Sequence, residues 1–157
     1  MLREQGIFYP GSTRYPGESA FDQPESRALG EFTAKNGFDL LICLHSQGKE
    51  IYYDYNGTVP PGGKELSEHF VEVSGYQLSQ PDGCACFGGC KDWFIEKFHK
   101  PAFTIEVGLG KNPLPEEMLP QIEEECFPIL LEAGLYTPEA AVIKQIEQAY
   151  PFNKEGT

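Results

Sequence analysis

Two short segments carry side chains able to move protons or hold a metal. One is His45-Ser46-Gln47-Gly48, the other Glu106-Val107-Gly108, and each follows an apolar run. Imidazole and carboxylate groups are the usual proton carriers near neutral pH, and imidazole is also a common zinc ligand. A strand-end histidine more often caps a loop than reacts, so His45 by itself is a weak signal. Glu106 is a stronger one, because a carboxylate within Phe103-Thr104-Ile105-Glu106-Val107 costs free energy to bury. In open α/β sheets ligands bind beyond the carboxyl ends of strands, which is where both residues fall.

The remaining candidates are weaker. His69-Phe70-Val71-Glu72 spells His-x-x-Glu with its polar groups one helical turn apart. It sits in the charged run Lys64-Glu65-Leu66-Ser67-Glu68 and reads as a solvated helix face. His99, before Lys100-Pro101, reads as a surface residue at a helix end. Cys84, Cys86 and Cys90 form a C-x-C-x3-C cluster in a glycine-rich loop. Three thiols so close could hold Zn²⁺ or Cu⁺ or form a labile disulfide. No fourth ligand is adjacent, and incidental thiols are the simpler reading. Cys43 and Cys126 read as small core residues.

The elements that must position these residues follow from patterning. Residues 1–24 are irregular, with Tyr9-Pro10-Gly11-Ser12 and Tyr15-Pro16-Gly17 as loop signals. Pro24 opens a helix that Asn36-Gly37 stops. Phe38–Leu44, broken only by Asp39, reads as a strand buried on both faces. Ile51-Tyr52-Tyr53 reads as a second strand, Lys64–Ser74 as a helix, and Lys91–Phe98 as a short helix. Ala102–Val107 is another buried strand, and Glu117–Ala133 a long helix despite Pro120 and Pro128. Thr137-Pro138-Glu139 starts a last helix within a C-terminal extension, 137–157. Strands alternating with helices indicate an α/β fold with a mixed, partly parallel sheet flanked by helices.

Composition narrows the partners. The 157 residues fit one domain, with 40% hydrophobic and 23% charged residues. A net charge of −12 argues against nucleic acid or an anionic membrane as the main partner. No apolar run approaches the roughly 18 residues of a membrane span. The start, Met1-Leu2-Arg3-Glu4-Gln5, lacks an apolar signal region, so a cytoplasmic location is expected, with its five cysteines reduced.

Leu41-Ile42-Cys43-Leu44-His45-Ser46, with Gly88-Gly89-Cys90-Lys91-Asp92-Trp93 leading to Phe103-Thr104-Ile105-Glu106, resembles the C-terminal half of the zinc carboxypeptidases. Lys91–Glu96 and Ile105–Pro115 resemble most closely the bacterial γ-D-glutamyl-meso-diaminopimelate peptidases, which cut cell-wall peptides. The likeness covers about residues 10–136, so 25–136 is expected to be the C-terminal part of a peptidase catalytic domain.

The resemblance implies that His45 is the third zinc ligand and Glu106 the general base for metal-activated water. It places Ser46, Lys91 and Asp92 at the substrate, with Lys91 suited to the extra carboxylate of diaminopimelate. A solvated lysine at a helix start is an equal alternative. It also implies a cell-wall-derived peptide substrate and Zn²⁺ in the complete enzyme. The family's first two ligands form a His-x-x-Glu motif upstream, and no histidine precedes His45 here. The chain is therefore expected to be a C-terminal portion, without stoichiometric zinc or activity alone, that pairs with a second copy or an N-terminal half. Two other readings stay open: a shortened, non-catalytic module that binds a peptide or partner, and a thiol-based metal-binding protein.

Overall fold

The computed structural model describes residues 10, 15, 17–81 and 88–139. Most of the expected irregular approach segment, Cys84 and Cys86, and nearly all of the expected last helix lie outside those residues. The described residues fall in two compact units, one within 1–38 and 81–89, the other within 39–80 and 90–157.

The first unit contains helix α1, Pro24–Asn36. Pro24 suits a first turn, where its missing N–H is not needed. Gly37 ends the helix at φ 65°, its N–H reaching the Thr33 carbonyl. Gly30 and Thr33 are its buried residues, and the rings of Phe32 and Phe38 lie 5.5 Å apart.

The second unit is built on a four-stranded sheet. Its strands are β1 (Leu41–His45), β2 (Glu50–Tyr52), β3 (Gln77–Leu78) and β4 (Ala102–Glu106), in the order β1-β4-β2-β3. β1 and β4 are parallel, β2 runs antiparallel to β4, and β3 is parallel to β2. Helix α2 (Gly63–Ser74) precedes β3, α3 (Cys90–Phe98) precedes β4, and a 3-10 turn (Glu116–Met118) leads into α4 (Leu119–Gly134). Pro120 falls at the start of α4 rather than inside it, and Pro128 is tolerated within.

Side chains alternate between the two faces of a strand, and the two faces here differ in chemistry. On one face Ile51, Phe103 and Ile105 pack against Leu66 and Phe70 of α2 and Cys126 and Ile129 of α4. Phe70 and Phe103 meet edge-on, ring centres 4.8 Å apart. On the other face Leu41 and Ala102, the first residues of β1 and β4, pack with Phe94 and Ile95 of α3. The carboxyl ends of these strands on that face carry polar residues.

The expectation that Phe38–Leu44 is a strand buried on both faces is corrected in two ways. The strand starts at Leu41 and extends to His45, and Leu44 is 55% exposed. Among the described residues β1 pairs with β4 alone, so it forms an edge of the sheet, and an apolar edge strand reads in sequence like a central one.

Candidate active site

β4 lies between β1 and β2, and this order assembles the site. The chain leaves β1 at His45, crosses the end of β4 in the loop 46–49, and returns as β2 on the far side. The crossing is stitched to the segment that follows β4. Val107 N–H donates to the His45 carbonyl at 2.8 Å, and Gly48 N–H to the Gly108 carbonyl at 2.9 Å. Ser46 Oγ donates to Asn112 Oδ1 at 2.9 Å, and Asn112 Nδ2 returns a bond to the Ser46 carbonyl at 2.7 Å. Gly110 N–H donates to Gln47 Oε1 at 3.3 Å. Lys49 closes the loop by pairing with Glu125 of α4, whose other oxygen accepts from Tyr76 Oη at 2.9 Å.

The register then places three ionisable groups in a row. His45 is the partner of Glu106 across β1 and β4, and Glu50 is the partner of Glu106 across β2 and β4. Neighbouring strands are about 4.8 Å apart, and register partners share a face. His45 is exposed and Glu106 half-buried. Burial pushes the Glu106 carboxyl above the usual carboxylate range; His45 draws it back and Glu50 raises it further. Glu50 is itself held, its Oε2 accepting from Tyr52 Oη at 2.7 Å. The arrangement suits a carboxylate that accepts a proton from a group held beside it.

At the start of α3, Lys91 and Asp92 are each only 4% exposed. Lys91 Nζ lies 2.6 Å from Asp92 Oδ1 and also donates to the Asp54 carbonyl. The solvated-lysine alternative is thereby corrected: the ammonium is withdrawn from water and held by Asp92 and the Asp54 carbonyl. His69 behaves as the pattern suggested, exposed on α2 with Nδ1 3.6 Å from Glu132 Oε2 of α4. His99 is exposed at the end of α3.

Zinc sites in proteins use three or four side-chain donors. Among the described residues no group of three or more His, Cys, Asp or Glu could hold a metal ion. His45 carries one imidazole donor, and the described residues do not by themselves complete a zinc site.

Sequence reasoning singled out His45, Ser46, Lys91, Asp92 and Glu106, and all five lie in the second unit. It missed Glu50 and Asn112. A carboxylate opening the run Glu50-Ile51-Tyr52-Tyr53 was the signal available for the first.

The zinc carboxypeptidase family model matches residues 6–128. The chain belongs to that family. It is 39% identical over 127 residues to γ-D-glutamyl-L-diamino acid endopeptidase 1 of Lysinibacillus sphaericus, covering 81% of this chain and 31% of the relative. It is 35% identical over 124 residues to the protein YqgT of Bacillus subtilis (strain 168), covering 79% of this chain and 33% of YqgT. The chain thus spans about a third of the length of these relatives. Solved structures with the same fold include bovine thrombin-activatable fibrinolysis inhibitor, bound there to tick carboxypeptidase inhibitor. Its TM-score is 0.64 at 20% identity, covering 83% of this chain and 49% of that one. Carboxypeptidase A from Helicoverpa armigera follows, with a TM-score of 0.61 at 18% identity, covering 83% and 37%.

Proposed function

We propose that these residues are the C-terminal part of a peptidase that hydrolyses γ-D-glutamyl-meso-diaminopimelate bonds in cell-wall-derived peptides. The observation that carries the reading is the register partnership of His45 and Glu106 at the open ends of β1 and β4. The named activity of the Lysinibacillus relative supports the substrate class. Glu106 takes a proton from the attacking water at its carboxylate and returns it to the leaving amine. His45 is one metal donor, and the others come from a segment corresponding to the rest of the relatives' length. Ser46, Lys91 and Asp92 contact the substrate; a substrate carboxylate would share the Lys91 ammonium with Asp92.

The exposed edge of β1 and Leu44 support pairing with such a segment or with a second copy. A second reading, a non-catalytic binding module, is favoured by the incomplete donor set among the described residues.

Reconstitution separates the two. The isolated chain is expected to lack stoichiometric zinc and activity, and to gain both when joined to the N-terminal portion of the Lysinibacillus relative. In the joined protein His45→Ala should lose zinc. Glu106→Gln should keep zinc and lose turnover about 10²- to 10⁴-fold, because an amide cannot accept the proton. Zinc held tightly by the isolated chain and lost on His45→Ala would overturn the assignment of an incomplete site. A joined protein that binds zinc and leaves the γ-D-glutamyl peptide intact would favour the binding module.

A further inference from the structure

Helix α4 has two unlike sides. Inward, Cys126 and Ile129 join the core, and Glu125 holds Lys49 of the loop after His45. Outward, Phe127, Leu130, Leu131 and Leu135 follow one another along its C-terminal turns, exposed by 61%, 45%, 54% and 76%. At about 100° per residue they share one stripe of the helix surface, with Gly134 among them. Single exposed apolar residues need no explanation, but a contiguous stripe marks a surface that something covers.

The chain itself supplies the cover. Tyr136, just past α4, is anchored: it packs against the core, its N–H donates to the Ala133 carbonyl at 3.2 Å, and its Oη donates to the Pro61 carbonyl at 3.5 Å. After Thr137, Pro138 and Glu139 are already helical. Only Leu135, Tyr136 and Thr137 separate this new helical start from α4, and so short a connection makes neighbouring helices antiparallel. Residues 140–157 lie outside the described residues, but their sequence keeps the helical period. Val142, Ile143, Ile146, Ala149 and Tyr150 fall at i, i+1, i+4, i+7 and i+8, with Lys144, Gln145, Glu147 and Gln148 in between. The family match ends at residue 128, so Leu130, Leu131, Leu135 and this segment lie together beyond it.

We propose that residues 138–150 form a helix that folds back on α4, covering its exposed stripe with Val142, Ile143, Ile146, Ala149 and Tyr150. The proposal is independent of the peptidase reading, since none of these residues takes part in it. The lengths agree: a helix over 138–150 is about 20 Å long, against about 24 Å for α4. Counting outward from the connection, Val142 comes level with Leu131 and Ile146 with Phe127. Gly134 gives room for close approach near the turn, since an added Cβ there would meet nothing within 4 Å. Tethering favours this occupant over a second copy, because a short linker holds the segment at an effective concentration in the millimolar range.

The test places a photoreactive group on the stripe in the whole chain. Trypsin cuts after Lys111, Lys144 and Lys154, so Phe127 and Ile146 fall in different peptides, 112–144 and 145–154. In Phe127→p-benzoylphenylalanine, irradiation should join these two peptides within one molecule, as read by mass spectrometry of the monomer band. Adding Ile146→Asp should lower the yield of that link about tenfold, because it sets a charge in the apolar contact. Adding Gln148→Asp, the same charge on the opposite side of the segment, should leave the yield unchanged. The labelled chain joined to the N-terminal portion of the Lysinibacillus relative should give the same link. A link between two copies would assign the stripe to self-association, and a link to the N-terminal portion would assign it to the rest of the peptidase. Either result, no link at all, or equal losses in the two aspartate variants would overturn the proposal.

Discussion

Lys91 and Asp92 are consecutive residues of one helix, yet their charged groups meet at 2.6 Å with both side chains almost wholly buried. Adjacent helical residues normally diverge, so the contact depends on Lys91 folding back toward the Asp54 carbonyl at the start of α3. Removing one partner of such a pair leaves the other charge buried and alone. Lys91→Ala should therefore lower the urea unfolding free energy by about 3–5 kcal/mol. The double replacement Lys91→Met, Asp92→Leu should cost clearly less than the single one. A single substitution that costs less than about 1 kcal/mol would place the pair among ordinary surface contacts.

Two carboxylates should respond to pH in opposite directions. At Glu125 burial raises the pKa, but hydrogen bonds from Lys49, Gln121 and Tyr76 outweigh it, and the carboxyl sits below its ordinary value. Its stabilisation is present above the unfolded pKa and is lost as pH falls through the folded one. Glu125→Gln should thus cost about 1–3 kcal/mol at pH 7 and progressively less in acid. Glu106 is raised by burial, so its contribution is present at low pH and lost as pH rises through its folded value. Glu106→Gln should raise the melting temperature of the isolated chain at pH 7 and leave it nearly unchanged at pH 3. Melting curves of both variants across pH 3–8 read this directly; parallel profiles would refute it.

Gly108, just past the end of β4, has φ +68°, and an added Cβ there would lie 2.7 Å from Leu114 Cδ1 and 3.2 Å from Ile122 Cδ1. The conformation alone costs a non-glycine residue about 1–3 kcal/mol. Gly108→Ala should destabilise by at least that much. Amide exchange should also quicken at Gly48, whose N–H donates to the Gly108 carbonyl. Unchanged exchange at Gly48 would show that the two loops are not coupled there.

The edge of β1 gives a prediction about association. If self-pairing covers it, light scattering at tens of micromolar should find dimers, and Leu44→Lys should shift them to monomer, since an exposed lysine blocks edge pairing. A monomeric parent chain would show that the edge does not seek a second copy.

His45 and Glu106 were legible in sequence because each ends an apolar run with an ionisable group, a pattern set by local residues alone. Their partnership was not legible, because it depends on β4 lying between β1 and β2, and strand order is fixed by distant pairings. Glu50 escaped notice because a three-residue strand leaves almost no alternation to read. The family likeness pointed to Lys91, but its burial follows from a carbonyl of Asp54, a residue that no nearby spacing connects to it. Two-residue β3 was missed for the same reason as Glu50.

The central place of β4 also bears on how the protein is made. Synthesis runs from the N-terminus, so β1 and β2 leave the ribosome well before residues 102–106 exist. In the finished sheet neither is hydrogen-bonded to the other, and both wait for β4 to fill the space between them. A nascent chain halted before Ala102 therefore presents Leu41 and Ile42 with no strand to pair with, and Ile51 with only the two-residue β3 beside it. The sheet closes only when translation delivers the strand that bears Glu106.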